Sequence, residues 1–421
     1  MRRFLVLQLA RFGDLVQTRR LVKTLIHAAG AAGSVHLVVD HSLVALARWL
    51  YPDVMVHGLA AHGAPGSERQ AAEQAVLAGC AVLADLAALD FAAVYCLNFS
   101  PLGMAIAAMF PPEIQRGYRM TAGQTDKDAL LRLVFRLARD RRGAGLNLAD
   151  IWAHLAESPV SADTVNPPAA PGGGGLGLAL AGRVARRSLP PEVLAPLVRT
   201  LFRATGGKRL LLVGTADQAP AARALLRRLD PDVARACRDL TGQTSLVGLA
   251  DALTGLDALL TPDTGAMHLA AALGVPAVGL FLSSAWCHET GPYGPGHRIW
   301  QAVSDCAPCL EATACAQGLA CLAPFADSVL PRLLAGSTKV APPAGLVGYV
   351  TGCDALGAVC RPVAGQDPTL ARRTALRAVV ARRLGLTVPG EPVLERELVQ
   401  GLTAESDWML PPPGRAADKE W

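Results

Sequence analysis

The sequence has 421 residues and a formal net charge of only +5, from 40 lysines and arginines against 35 aspartates and glutamates. Such a weak balance provides no broad basic surface, which argues against a nucleic-acid-binding protein. At about 150 residues per domain, the length allows two or three domains and excludes a single small module.

Short apolar runs alternate with longer helical patterns in the first part of the chain. The N-terminal run, 4–10, precedes Arg11 and Asp14 and no small-residue cleavage site follows it, so it predicts a strand, not a signal peptide. The alternation predicts parallel βαβ units. The predicted strands are 4–10, 35–39 and 93–97, and the predicted helices are 15–29, 42–50 and 102–110.

The segment 166–176 is rich in Pro and Gly, and its residues 166–175 can form neither a helix nor a strand ladder. It predicts a linker between two Rossmann-like, doubly wound α/β domains, 1–165 and 177–335. Residues 336–421 are predicted to be a C-terminal extension that is partly helical, with an arginine-rich helix at 369–384. In the second domain we expect strands at 176–180, 209–213, 258–260 and 277–282, and helices starting at Pro190, at 218–229 and at 266–273.

No run approaches the ~20 uninterrupted apolar residues that a membrane-spanning helix needs. The ten cysteines are scattered through a long chain, which argues against a disulfide scaffold and indicates a reducing compartment. We therefore expect a cytoplasmic protein.

The loops at the carboxyl ends of the strands are the expected ligand sites of such folds, and two sheets facing each other would place a cleft between them. The first loop, Arg11-Phe12-Gly13-Asp14, lacks the G-x-G-x-x-G spacing of a dinucleotide site. Asp14 is either a helix N-cap or a general base. Asn98 and Ser100, after a later strand, either border a substrate or satisfy a local turn.

The segment from Pro262 to Pro276 combines a strand end, a capped helix, a glycine stop and a proline restart. Asp263 or Thr264 is expected to cap the helix, and Gly265 allows a ligand to approach the backbone. The first-turn amides and the helix dipole favour an anion, to which His268 could donate. This combination predicts a phosphate-binding site, in preference to a helix cap alone.

Four segments in this order resemble glycosyltransferase family 9, the heptosyltransferases of lipopolysaccharide core assembly. The resemblance extends over roughly residues 1–335 and is strongest from Asp239 to Gly294. The matching segments are Arg11-Phe12-Gly13-Asp14, Asp239-Leu240-Thr241-Gly242, Asp263-Thr264-Gly265 with His268, and Thr290-Gly291-Pro292-Tyr293-Gly294.

This resemblance implies a GT-B fold and transfer of heptose from ADP-heptose with inversion, without a required metal or other cofactor. Asp14 matches the family's catalytic base. Arg187 matches a basic residue that contacts the diphosphate, although the tryptophan of the family's pattern is absent here and Arg186 is an alternative. The substrate-binding residues so expected are Gly13, Arg187, Asp263, Thr264, Gly265, Met267 and His268.

Four cysteines, Cys306, Cys309, Cys315 and Cys321, lie within sixteen residues after these loops. Four thiolates can bind zinc or an iron–sulfur cluster, although the spacing is not that of a standard zinc ribbon. A structural metal site or a disulfide pair is one interpretation, and free thiols are the other.

The leading hypothesis is therefore an inverting glycosyltransferase with a nucleotide-sugar donor and a lipid-linked or core oligosaccharide acceptor of the cell envelope. The alternatives are a nucleotide-sugar epimerase or hydrolase, and a non-catalytic nucleotide-sugar-binding protein with a cysteine-cluster sensor. The arginine-rich helix either contacts the inner face of the cytoplasmic membrane or is a solvated helix face. Its arginines are Arg372, Arg373, Arg377, Arg382 and Arg383.

Overall fold

The computed structural model describes residues 2–62, 67–121, 123–137, 141–143, 145–180, 185–310, 313–390 and 396–400. The chain divides into two compact units, each built around one sheet. The first unit comprises residues 1–144, 148–160 and 374–421, and the second comprises 145–147 and 161–373.

The first unit contains a six-stranded sheet in the order β3-β2-β1-β4-β5-β6, parallel except for the last pair. Its strands are β1 (Arg3–Leu7), β2 (Ser34–Asp40), β3 (Met55–Leu59), β4 (Ala93–Cys96), β5 (Gln115–Thr121) and β6 (Gln124–Lys127). The helices before the second sheet are α1 (Phe12–Gln17), α2 (Arg19–Ala29), α3 (Val44–Leu50), α4 (Glu68–Ala78), α5 (Cys80–Ala87), α6 (Pro101–Ala107), α7 (Ala129–Leu137) and α8 (Leu148–Ala153).

The second unit contains an eight-stranded sheet in the order β14-β13-β12-β11-β10-β7-β8-β9. Its strands are β7 (Leu176–Ala179), β8 (Leu210–Val213), β9 (Cys237–Asp239), β10 (Ala258–Pro262), β11 (Ala277–Phe281), β12 (Arg298–Ala302), β13 (Leu346–Cys353) and β14 (Ala358–Ala364). Its helices are α9 (Pro191–Ala204), α10 (Ala219–Leu226), α11 (Pro231–Arg235), α12 (Leu246–Leu253), α13 (Gly265–Ala272), α14 (Cys287–Thr290) and α15 (Val329–Leu334). The helix α16 (Leu370–Arg383) follows β14, and the division between the units falls within it, at 373/374.

Several inner strands of the two sheets are largely apolar and buried along their whole length. Every residue of β4, β7, β8, β10 and β11 is buried, as strands covered on both faces require. The sequence prediction of an α/β protein with two parallel-dominated, doubly wound sheets is thereby confirmed. Both sheets share the 3-2-1-4-5 strand order of dinucleotide-binding folds.

The predicted C-terminal extension, 336–421, is divided between the two units. β13 and β14 continue the second sheet in antiparallel pairing beyond β12, and the described residues from Thr374 onward belong to the first unit. The strand rhythm is lost after residue 335 because these two strands form a hairpin without an intervening helix. Within the described residues, no helix combines the length and apolar character needed to cross a membrane.

Residues 166–175 of the predicted linker pack on the second unit, and Leu176 begins β7. Backbone amides of this segment donate hydrogen bonds to the carbonyls of Gly255, Leu256, Gly274 and Pro295. A Cβ at Gly172 would lie 2.4 Å from the Gly255 carbonyl oxygen, so glycine is required for this approach. The units divide at residues 160/161, ahead of this segment.

Candidate functional site

Each sheet reverses its strand order at one central pair of strands, and the loops after those strands are the usual ligand sites of open α/β sheets. In the first sheet the pair is β1 and β4, followed by Asp14 and Asn98 respectively. In the second sheet the pair is β7 and β10, followed by Arg187 and Asp263 respectively. The loops singled out from the sequence therefore follow the switch strands of both units.

Asp14 lies in the first turn of α1, not at its N-cap. Arg11 is the N-cap residue, and its amide donates to Asp14 Oδ2 over 3.3 Å, as in a capping box. Gly13, the neighbouring expected substrate contact, is half-buried in the same turn. Asp14 is half-buried as well, so its carboxylate combines a local structural bond with access to solvent.

A polar network that sequence reasoning missed holds the loop before Asp14. Asn98 Oδ1 accepts from the Leu9 amide over 2.6 Å, and Asn98 Nδ2 donates to Gln8 Oε1 over 2.7 Å. Gln8, which is buried, donates in turn to Thr18 Oγ1. Ser100 caps α6 by accepting from the Gly103 amide. Of the two interpretations of Asn98 and Ser100, the structure therefore shows the local structural one.

Arg187 and Asp263 form a buried ion pair in the second unit. The Arg187 guanidinium donates both to Asp263 Oδ2 and, over 3.0 Å, to the Asp263 carbonyl oxygen. The side chains of Arg187 and Asp263 are 14% and 8% exposed, so the pair lies largely out of water. The two residues follow neighbouring strands, which explains how positions 76 residues apart meet.

Thr290 and His268 also lie next to Asp263. Thr290, at the end of α14, donates its hydroxyl to Asp263 Oδ2 over 2.9 Å. His268 Nε2 lies 3.8 Å from Asp263 Oδ1, and its side chain is buried. Thr290 belongs to one of the segments that resemble glycosyltransferase family 9. No pattern in the sequence around Thr290 predicts its contact with Asp263.

The N-terminus of α13 differs from the expected side-chain cap. Thr264 is the N-cap residue and makes no side-chain cap bond, because its hydroxyl is hydrogen-bonded to Thr261 Oγ1 at 3.1 Å. The Thr264 side chain therefore does not cap the amides at the start of α13, where Gly265 is half-buried. At the other end, Gly274 adopts a φ of +73° directly after the helix, as the predicted glycine stop requires.

Met267 is the member of the expected set that the structure places in the core. Its side chain is fully buried in an apolar cluster with Phe281 and Tyr349. Its amide donates to the Thr264 carbonyl. The substrate contact of Met267 stays a prediction from the family resemblance.

Arg186 and Arg187, which the sequence left as alternatives, point to different partners. Arg186 donates to the Leu310 carbonyl over 2.6 Å and to the Thr313 carbonyl, in the loop that carries the four cysteines. Arg187 contacts Asp263. The structure thus brings Arg187, not Arg186, to the phosphate-type site predicted at α13.

The four cysteines of this loop line one cavity of about 260 Å³. Backbone amides of Leu319 and Gln317 lower the pKa of the exposed Cys315 thiol, whereas burial and the neighbouring thiols raise the pKa of Cys321. The four sulfurs do not form one of the compact ligand groups found among the described residues. None of the ten cysteines, all of which are described, forms a disulfide.

Sequence comparison links the second unit to a known family. Residues 198–320 match the model of glycosyltransferase family 9 (heptosyltransferase). Lipopolysaccharide heptosyltransferase 2 of Escherichia coli K12 is 35% identical over 75 residues, and its Salmonella typhimurium counterpart matches equally. The match covers 18% of this chain and 22% of either relative, so the chain spans about a fifth of the length of these relatives. The resemblance to family 9 is confirmed for this segment.

Solved structures extend the likeness to both units at the level of fold. The family 9 glycosyltransferase of Veillonella parvula superposes with a TM-score of 0.53 at 17% identity, over 71% of this chain and 86% of that one. The E. coli ADP-heptose lipopolysaccharide heptosyltransferase II gives 0.50 at 18% identity, over 71% and 90%. Together with the two parallel-dominated sheets, these likenesses confirm the predicted GT-B fold class.

Proposed function

We propose that this chain, with its family 9 segment and the fold of solved family 9 enzymes, is an inverting glycosyltransferase. The donor is a nucleotide-activated heptose or related sugar, in the first place ADP-heptose. The acceptor is a lipopolysaccharide-core or other cell-envelope glycan. The observation that carries the proposal is the group of Arg187, Asp263 and Thr290 beside the N-terminus of α13.

The diphosphate of the nucleotide-sugar is anionic, and this site offers groups that bind anions. The first-turn amides of α13 and the positive end of its helix dipole favour a phosphate at Gly265. Arg187 adds a guanidinium that is already oriented by Asp263, and His268 contributes a buried imidazole in the same turn. As the bond to the sugar breaks, the departing nucleoside diphosphate gains negative charge, which positioned donors stabilise without a metal.

The acceptor reacts through one of its hydroxyl groups. Asp14 accepts the hydroxyl proton while the acceptor oxygen bonds to the anomeric carbon and the bond to the diphosphate oxygen breaks on the opposite face. A half-buried carboxylate in the first turn of α1, which accepts from the Arg11 amide, is a suitable group for this role. Inversion at the anomeric carbon follows from the single displacement.

A structural zinc or iron–sulfur centre is proposed for the cavity lined by Cys306, Cys309, Cys315 and Cys321. The loop would need to contract around such a centre.

A cytoplasmic location, peripheral to the inner face of the membrane, fits a lipid-linked acceptor. Arg373 and Arg377 are buried, so only Arg372, Arg382 and Arg383 of the helix are exposed for contact with anionic lipid.

The donor is tested by a thermal-shift screen with ADP-, GDP- and UDP-sugars. We expect the ADP-sugar to stabilise the protein most, since ligand binding to the folded state raises the unfolding temperature. A preference for a UDP-sugar would contradict the heptose assignment. Incubation with donor alone separates the alternatives, because an epimerase or hydrolase consumes the donor without acceptor and a non-catalytic binding protein leaves the donor intact even with acceptor.

A further inference from the structure

One group of metal-ligating side chains in the described part of the chain is compact enough for a single ion, and it lies apart from the cysteine cluster. It consists of Cys287, His288 and Cys360. Their ligand atoms, two sulfurs and one imidazole nitrogen, all lie within 4.8 Å of one another. Cys287 and His288 are buried, and Cys360 is half-buried. In addition, the Cys360 thiol donates to the Cys287 carbonyl oxygen over 3.7 Å.

The fold holds these side chains together from positions 73 residues apart. Cys287 begins α14, and its amide donates to Gln301 Oε1 over 2.9 Å. Gln301 is fully buried, and its Nε2 donates to the carbonyls of Phe281, Ala285 and Ala302, so it is fixed on β12. Cys360 lies on β14, opposite Thr351 of β13. The strand hairpin that extends the second sheet therefore delivers the second sulfur.

The donor set and its surroundings select the kind of ion. Two thiolates and one imidazole are soft to borderline ligands, which favour Zn²⁺ over Mg²⁺ or Ca²⁺. In a tetrahedral zinc site the ligand atoms lie roughly 3.5–3.8 Å apart, from bond lengths of about 2.3 Å to sulfur and 2.0 Å to nitrogen. Closing from 4.8 Å or less to this spacing needs only small side-chain shifts.

Charge and packing are also consistent with a bound zinc ion. Two thiolates cancel the charge of Zn²⁺ and the imidazole adds none, so the loaded site is neutral, as burial requires. The nearby ion pair of Asp367 and Arg373 is buried and also balanced in charge. The His288 ring packs edge-on against Tyr349, with centroids 5.0 Å apart, which limits its rotation.

We propose that Cys287, His288 and Cys360 form a structural zinc site, with the fourth coordination position taken by water. The ion ties the start of α14 to the edge strand β14. Helix α14 ends at Thr290, whose hydroxyl is hydrogen-bonded to the Asp263 carboxylate. The zinc site therefore stabilises the helix that orients Asp263. This inference concerns metal binding alone and does not depend on the proposed transferase activity.

The test uses a variant in which Cys306, Cys309, Cys315 and Cys321 are all replaced by serine, so that the cysteine cluster cannot contribute. Purified without a metal-affinity tag, it is expected to contain one equivalent of zinc per chain. After removal of the zinc, Co²⁺ titration is expected to give the thiolate-to-metal charge-transfer band and the strong visible bands of tetrahedral cobalt. Adding Cys360→Ser should abolish both signals, whereas adding Cys353→Ser, the matched control with the same number of thiols, should leave them.

Two outcomes would overturn the proposal. The first is a folded four-serine variant, by circular dichroism, that contains no zinc and gives no thiolate–cobalt band. The second is a thiol titration showing that Cys287 and Cys360 are oxidised to a disulfide in the protein as purified from a reducing cytoplasm. If the four-serine variant does not fold, the intact chain replaces it. Cys360→Ser must then lose one equivalent of zinc that Cys353→Ser retains.

Discussion

The Thr290 hydroxyl donates a hydrogen bond of 2.9 Å to Oδ2 of Asp263, the same oxygen that accepts from Arg187. Three segments that are distant in sequence thus meet at one buried carboxylate: the loop after β7, the end of β10 and the end of α14. Two donors fix the Asp263 side chain before any ligand arrives. Such preorganisation lowers the cost of orienting a binding site.

The contribution of Thr290 is tested by two variants. Thr290→Val keeps the shape of the side chain and removes the hydroxyl group. Because a hydrogen bond to a charged group contributes ~1.5 kcal/mol, we expect the affinity for the nucleotide-sugar to fall by about tenfold. Thr290→Ser keeps the hydroxyl and should bind the donor within about threefold of the parent. Isothermal titration calorimetry measures both, and equal affinities for the two variants would contradict the role of the hydrogen bond.

The two neighbouring arginines are expected to differ in their effect on donor binding. Arg187→Ala removes a guanidinium from the predicted diphosphate site and leaves Asp263 without that partner, so donor affinity should fall about tenfold to a hundredfold. Arg186→Ala removes bonds to the loop at 310–313 and is the matched control, expected to bind donor nearly as the parent does. A larger loss for Arg186→Ala than for Arg187→Ala would exchange the assignments.

Asp14→Asn tests the proposed base. The amide oxygen of asparagine can still accept from the Arg11 amide, so helix α1 should be retained, but an amide cannot take the acceptor's proton. Sugar transfer is expected to fall by about 10²- to 10⁴-fold, the usual contribution of a general base. Donor binding by calorimetry should be unchanged. Transfer at the parent rate would show that another group removes the proton.

The cysteine loop is predicted to react unevenly with alkylating agents. Amides of Leu319 and Gln317 lower the pKa of Cys315, which is also exposed, so more of its thiol is the reactive thiolate near neutral pH. Burial raises the pKa of Cys321 and shields it. In metal-free protein treated with iodoacetamide, peptide mass spectrometry should find Cys315 modified well before Cys321. Modification in the reverse order would contradict this arrangement of the loop.

His297 is predicted to make the free energy of unfolding depend on pH. Burial lowers its pKa from 6.5 to about 4, and its Nδ1 accepts from the Ala277 amide over 3.1 Å. Between pH 4 and pH 6.5, His297 binds a proton in the unfolded chain but not in the folded chain. This contribution to stability is therefore present above pH 6.5 and is lost as the pH falls towards 4.

The variant that tests this dependence is His297→Asn, whose side-chain oxygen can still accept from the Ala277 amide. In this variant the free energy of unfolding should fall less steeply between pH 6.5 and 4. The slope against pH should decrease by up to the amount that about one bound proton contributes. Urea unfolding at a series of pH values measures the slope. An unchanged profile in the variant would show that His297 does not carry this dependence.

The sequence by itself determined the elements and the loops that matter. Alternating apolar periodicity fixed the two parallel sheets, because side-chain burial on strands and helices follows local spacing. The strand-to-helix junctions at Asp14 and at Asp263 to His268 were recognisable for the same reason, since caps, glycines and acidic residues act within one turn. The family resemblance rested on these short segments and is confirmed over 198–320.

Tertiary structure decided which distant residues meet. It selected Arg187 over Arg186, brought Thr290 to Asp263, placed Met267 in the core and paired Cys287 with Cys360. It also added β13 and β14 to the second sheet. These relationships depend on strand order and register, which are set by the packing of the whole sheet, so no local pattern around any one of these residues records its partner.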